Sequence, residues 1–140
     1  MPKIDKGIEF LTAILCDDVR RERNGKELLI GVYSGQVLLP EMPQVFFPVF
    51  WVPFETLDAT AHKVQFRLIG IDGHVAYEWQ PLVVTLVPDN HNDSITVGGM
   101  SILVDTPGTL RLEVKIDDLN WKVLKSVFVK VNPSLQAKSS

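Results

Sequence analysis

The length, composition and charge of the chain already exclude several classes of protein. At 140 residues, with 46% hydrophobic and 22% charged residues, the chain fits one globular domain and is too apolar to be disordered. A net charge of −3 gives no basic surplus for neutralising phosphates, and no apolar run reaches the roughly 18 residues that span a membrane, so we expect neither a nucleic-acid nor a membrane partner. With one cysteine and no signal-peptide pattern, we expect a reduced, cytoplasmic protein.

The first part of the chain predicts strands joined by a tight turn. An apolar run covers residues 8–16, and a basic stretch interrupted by acidic residues follows it, as is typical of a solvated hairpin. The Asn-Gly pair at 24–25 supplies the positive φ angles of a hairpin turn. A returning strand is predicted over 26–33, with Gly31 marking a bulge or a close approach of the backbone. A short strand is predicted over 36–39.

The next segment combines prolines with aromatic side chains. Because proline cannot donate to a sheet ladder, the four prolines between positions 40 and 53 predict that this segment lies at a sheet edge or runs in and out of a sheet. About half of its aromatic residues are expected to fill the core, and the others to face outward and pack under a loop or meet another chain. No charged residue between Glu41 and Glu55 guards such an edge. The candidate interaction surface comprises Phe46, Phe47, Phe50, Trp51 and Phe54.

The middle of the chain predicts a hairpin followed by a central strand. Strict alternation over residues 63–68 places Val64, Phe66 and Leu68 on one face. The Asp-Gly pair at 72–73 predicts a tight turn, with a returning strand over 74–79. Residues 82–87 are apolar at nearly every position, which predicts a central strand, and a polar loop follows over 88–94.

The last third predicts an amphipathic strand in a hairpin. Short strands over 95–97 and 100–104 flank a Gly-Gly pair. Four apolar residues then alternate with polar ones, so Leu112 and Val114 are expected to face the core and Glu113 the solvent, and we expect Glu113→Ala to cost less than about 0.5 kcal/mol. Residues 117–120 close a hairpin with a strand over 121–131. The domain is expected to cover residues 1–131, with a loose tail over 132–140.

The spacing of these elements predicts the fold class. About nine strands recur every 8–12 residues, roughly the spacing of a sandwich or barrel, and no segment has a sustained helical period. The predicted fold is therefore all-β, an immunoglobulin-like β-sandwich with a jelly roll as the alternative.

Two segments also resemble a known family. The first runs from Cys16 to Glu22, continues with Asn-Gly-Lys at 24–26 and ends with Leu-Ile-Gly-Val-Tyr at 29–33; the second covers 107–114. They are similar to the opening and closing strands of a family of small bacterial proteins catalogued only as a domain of unknown function. The resemblance implies a sandwich fold and a cytoplasmic bacterial origin, and it brings no activity, cofactor or catalytic residue.

The residues that could carry chemistry match no known pattern. His62, His74 and His91 have spacings unlike those of zinc sites, and the first two are expected to be solvated. The polar loop from Asp89 lacks the glycine and the glutamate that a calcium loop needs. Cys16 lies in an apolar run and is expected to be an inert core residue. We therefore expect no catalytic, cofactor-binding or metal-binding residues.

These observations favour a non-enzymatic protein-interaction or structural module. A second copy of the chain is the simplest partner for the aromatic segment, since twofold dimers are the commonest oligomers, and another protein is the alternative. Trp51 is the expected anchor of a homodimer. A sandwich that binds a small ligand is the second hypothesis, and an uncharacterised enzyme is the third.

Overall fold

The computed structural model describes residues 7–85 and 92–132. Within these ranges the chain forms fourteen strands and no helix, which confirms the all-β prediction. No helix there is long and apolar enough to cross a membrane. In chain order the strands are β1 (Ile8–Phe10), β2 (Ile14–Cys16), β3 (Asp18–Arg21), β4 (Glu27–Ile30), β5 (Gln36–Leu39), β6 (Gln44–Phe46), β7 (Val49–Thr56), β8 (His62–Ile69), β9 (Val75–Glu78), β10 (Leu82–Val84), β11 (Asn92–Val97), β12 (Ile102–Val104), β13 (Gly108–Ile116) and β14 (Lys122–Val131).

Two larger sheets and two ribbons share these strands. In the four-stranded sheet, here called the front sheet, β7 pairs with β11 on one side and with β1 and β2 in succession on the other. The six-stranded back sheet has the order β10-β8-β13-β14-β5, and β9 also pairs with β8. The two ribbons are the β3–β4 hairpin and the β6–β12 pair.

Side chains from both sheets meet in one core. The alternation of β7 buries Phe50, Val52 and Phe54, and the opposing faces of β8 and β13 bury the residues that alternation predicted. From the back sheet these are Val64, Phe66, Leu68, Leu110, Leu112 and Val114. These apolar positions are thus confirmed as core positions, but the prediction that Glu113 faces the solvent is wrong, since it is 8% exposed beside a register shift between β13 and β14. The choice between an immunoglobulin-like sandwich and a jelly roll stays a prediction.

The predicted hairpin turns form where expected. Gly25 and Gly73 adopt φ angles of 87° and 85°, which the two tight turns require. The turn between β13 and β14 instead places Asp117 and Asp118 in the left-handed region, at φ 51° and 61°. Gly31 is left-handed too, and a Cβ there would lie 2.1 Å from Asp17, so the expected close approach is present.

The observed strands outnumber the predicted ones partly because β3 forms in the charged stretch, where no strand was expected, and partly because two continuous runs are broken in the fold. The run over 8–16 becomes β1 and β2, and the aromatic segment becomes β6 and β7 with Pro48 between them. Most of the predicted tail, residues 133–140, and the predicted loop residues 88–91 lie outside the described residues.

The prediction that the aromatic segment lies at a sheet edge is wrong for β7, which is the centre of the front sheet, whereas β6 lies in a separate ribbon, so the segment runs from one sheet into another. Strand β7 can be central although it contains Pro53, because no neighbouring strand needs the hydrogen bond that Pro53 cannot donate. The Pro53 carbonyl accepts a bond from the Leu11 N–H at 3.1 Å, and the nitrogen and carbonyl of a strand residue point to the same side. The nitrogen of Pro53 therefore faces residues 11–13, where β1 has ended and β2 has not begun. The missing donor lies at a break in the neighbouring strand.

The prediction of a central strand over 82–87 is also wrong. Strand β10 lies at the edge of the back sheet, with Leu82 42% and Val83 75% exposed. It pairs with the first residues of β8, and β9 occupies the rest of β8 on that side. The continuous apolar run over 82–84 therefore forms an exposed edge strand rather than a strand buried on both faces. Residues 86 and 87 of the predicted strand lie outside the described ranges.

Candidate interaction surfaces

The aromatic segment divides between the core and the surface. Phe46, Phe50 and Phe54 are 6%, 1% and 5% exposed and pack in the core. Trp51 lies on the outer face of β7 and is half-buried, whereas Phe47 is 65% exposed. Of the five residues predicted to form an interaction surface, the fold thus leaves Phe47 open and Trp51 in part.

Trp51 is covered by the β3–β4 hairpin of its own chain. Its indole N–H donates to Glu27 Oε1 at 3.1 Å, and the Ser94 hydroxyl donates to the same oxygen. Glu27 belongs to β4, so its carboxylate ties the hairpin to β7 and β11. Burial alone raises the pKa of Glu27, but the bonds from Ser94 and Trp51 and the neighbouring Arg21 outweigh it and hold that pKa below its usual value.

A first apolar surface surrounds Phe47. Val45 and Leu103 stand opposite each other on β6 and β12 and are 49% and 65% exposed. Beside Phe47, a surface hollow of about 350 Å³ is also lined by Val49 and Met100. We call Val45, Phe47 and Leu103 the ribbon patch.

A second apolar surface lies on β4. Leu28 and Ile30 are 48% and 42% exposed at alternate positions of β4, and Val32, 50% exposed, follows beyond the strand and the left-handed Gly31. In the part of the chain that the structure describes, β4 pairs with β3 alone, so its other edge is free. We call Leu28, Ile30 and Val32 the edge patch. The prediction of a solvated hairpin does not anticipate this patch, because Leu28, Leu29 and Ile30 form a continuous apolar run in which no polar residue marks the exposed face.

The prediction that His62 is solvated is wrong. It opens β8, is 8% exposed, and contacts Asp117 Oδ2 through Nδ1 at 2.5 Å and Asp58 Oδ1 through Nε2 at 2.8 Å. Both ring nitrogens are therefore engaged by carboxylates rather than open to a metal. His74 is exposed as expected, and His91 lies outside the described residues.

The other candidate chemical groups are dispersed. Residues 7–85 and 92–132 contain no group of three or more His, Cys, Asp or Glu that could hold a metal ion. Cys16 is buried in the front sheet, and that burial raises the pKa of its thiol. Of the loop tested as a calcium site, Asp93 and Ser94 lie in β11, and Asp89 lies outside the described residues.

The fold and its surfaces define an all-β domain that leaves ordered apolar stripes on two strand pairs. The chain belongs to a family of unknown function, DUF6941, whose model matches residues 11–125. That range contains both segments on which the resemblance was recognised, so the predicted family is confirmed. A comparison with curated proteins found no match.

Proposed function

We propose that the protein is a non-enzymatic interaction module that associates with a second copy of itself. The observation that supports this most is the arrangement of the apolar side chains left outside the core. Six of the exposed large apolar side chains form the edge patch, at a strand with a free edge, and the ribbon patch, at a two-stranded pair. Contiguous exposed apolar side chains mark interaction sites, and free strand edges are usually guarded by charge or covered.

The solution mass of the purified full chain tests this proposal. We expect light scattering at tens of micromolar to give the mass of two chains, and dilution to shift the mass towards one. A mass of one chain throughout this range would contradict self-association. The cytoplasmic and bacterial setting expected from the sequence belongs to the same proposal and stays a prediction.

Binding of a small polar ligand is a second candidate, favoured by one groove. A cavity of about 500 Å³ lies between β9 and β12 and is lined by Asp72, His74 and Asp105 as well as by aliphatic side chains. These acceptors suit a ligand with amine or hydroxyl groups. A rise in melting temperature with a polyamine such as spermidine, lost in Asp105→Asn, would support it. No rise at millimolar ligand would contradict it.

A further inference from the structure

We infer that two copies of the chain pair antiparallel through the free edge of β4, about a twofold axis that passes between their Leu28 residues. This inference rests on the proposed self-association and assigns its surface and register. It differs from the sequence-based expectation, which placed the dimer at the aromatic segment around Trp51.

The backbone of β4 has a donor and acceptor set ready for a partner strand. The carbonyls of Lys26 and Ile30 accept bonds from the β3 side at 2.7 and 2.9 Å. Because peptide groups alternate in direction along a strand, the N–H and C=O groups of Glu27 and Leu29 point to the free edge. Beyond Ile30 the chain bends at the left-handed Gly31, so the edge available for pairing is short.

One register uses all of these free groups. If Leu28 stands opposite Leu28 of the second copy, Glu27 stands opposite Leu29 and Leu29 opposite Glu27. Each of these two pairs is then a hydrogen-bonded pair that exchanges both of its N–H···O bonds. Leu28 forms the intervening close pair, in which the side chains of antiparallel strands approach most nearly.

The side chains in this register are complementary as well. Leu28 packs on its counterpart, and Ile30 lies against the aliphatic stem of Lys26 of the second copy. Asp18 stands opposite Ile30 in the β3–β4 ladder, so the Lys26 ammonium of one copy reaches towards Asp18 of the other, twice by symmetry. Arg20, opposite Leu28, lies three strand spacings from its counterpart, about 14 Å, where salt screens the repulsion.

The first test introduces a charge at the centre of the proposed contact. Leu28 is 48% exposed, so Leu28→Lys should leave the monomer folded, as circular dichroism will show, but should reduce the mass in light scattering from two chains to one. Phe47→Lys, on the ribbon patch, is the matched control and should keep the dimer. If Phe47→Lys dissociates the dimer, whether or not Leu28→Lys does so as well, the β4 register is overturned while self-association still stands. A monomeric wild type would overturn both proposals.

The second test reads the register directly by cross-linking. In the proposed pair the two Leu28 Cα atoms lie about 4.5 Å apart, within disulfide range, whereas the two Ile30 Cα atoms lie at least about 13 Å apart. Mild oxidation of Leu28→Cys should therefore give a covalent dimer on a non-reducing gel, and Ile30→Cys should not. The native Cys16 is buried, so the wild type serves as the blank. Equal cross-linking of both variants, or cross-linking of Ile30→Cys alone, would overturn the register.

Discussion

At the scale of single residues, His62 ties three parts of the chain together. Asp58 comes from the segment after β7, and Asp117 from the turn between β13 and β14, where it also accepts the Lys63 N–H at 2.9 Å. An imidazole can donate from both nitrogens only when it is protonated, so two carboxylate partners favour the imidazolium. A Cβ at Gly7 would lie 2.3 Å from the ring, which explains why glycine stands there.

This cluster predicts a pH-dependent part of the stability. Hydrogen bonds to Asp117 and Asp58 raise the pKa of His62, so its contribution is complete below the unfolded-state pKa of about 6.5 and is lost as pH rises through the higher folded-state pKa. His62 lowers the pKa of both carboxyls, whose contributions are lost as pH falls below about 3.8. Urea unfolding of wild type and His62→Gln should therefore differ most between roughly pH 4 and 6.5 and converge at higher pH. The pH effects of groups present in both proteins, such as the Lys63–Asp118 ion pair, cancel in this difference, so its pH dependence reports on His62. A difference in unfolding free energy that stays constant from pH 5 to 9 would contradict the prediction.

Glu113 is buried rather than solvated, so its replacement is no longer expected to be nearly neutral. It is 8% exposed and accepts bonds from Arg67 at 2.8 Å, and Arg67 lies 4.1 Å from the centre of the Trp121 ring. Removing the carboxylate leaves a half-buried guanidinium without its acceptor, so we expect Glu113→Ala to lower the free energy of unfolding by about 1–3 kcal/mol. Glu78→Ala, at an exposed partner of Gln65, should cost under about 0.5 kcal/mol. Equal losses in urea denaturation would refute the role of the Arg67 contact.

At the scale of elements, the sequence predicts what local physics decides. The turns at 24–25 and 72–73 follow from residues that tolerate positive φ, and the phase of β8 and β13 follows from period-two alternation. The place of β7 in its sheet depends on partners such as Ile95, which pairs with Val52 from 43 positions away in the chain. The cover of Trp51 by Glu27 likewise depends on where a hairpin docks. Contacts between residues so far apart in the chain leave no pattern in any local stretch of the sequence.

The docking of the β3–β4 hairpin is itself a testable feature. Glu27→Ala leaves the Trp51 N–H and the Ser94 hydroxyl without their acceptor, and we expect it to lower the free energy of unfolding by about 1–2 kcal/mol. The loss should be local, so amide hydrogen exchange should accelerate over residues 18–30 and not over β13 and β14. Glu22→Ala, at an exposed position of the same hairpin, is the control. Uniform acceleration across the chain would show that Glu27 stabilises the whole fold instead.

At the scale of the whole molecule, the two sheets bury one shared core between them, while the β3–β4 and β6–β12 ribbons lie outside both sheets and keep apolar side chains exposed. The β3–β4 hairpin contacts the outer face of the front sheet through Glu27. In this position, Leu28 and Ile30 of β4 remain exposed. The protein carries a net charge of −3, yet residues 20–26 contain four basic residues and one acidic residue. In the proposed dimer, this basic tip of one copy lies on the side of Asp18 of the other, so the two charges attract each other.

Which aromatic residues belong to the surface of the molecule can be decided by placing the same charge at two positions. Trp51→Asp puts a carboxylate beside Glu27 and removes a half-buried indole, so like-charge repulsion and lost packing should together cost more than about 2 kcal/mol of unfolding free energy. Phe47→Asp places the carboxylate where the side chain is already 65% exposed and should change that free energy by less than about 0.5 kcal/mol. Urea denaturation measures both, and repeating it at two protein concentrations separates folding from association. A large loss for Phe47→Asp at both concentrations would place Phe47 in the interior, and a negligible loss for Trp51→Asp would mean that the hairpin does not cover the indole.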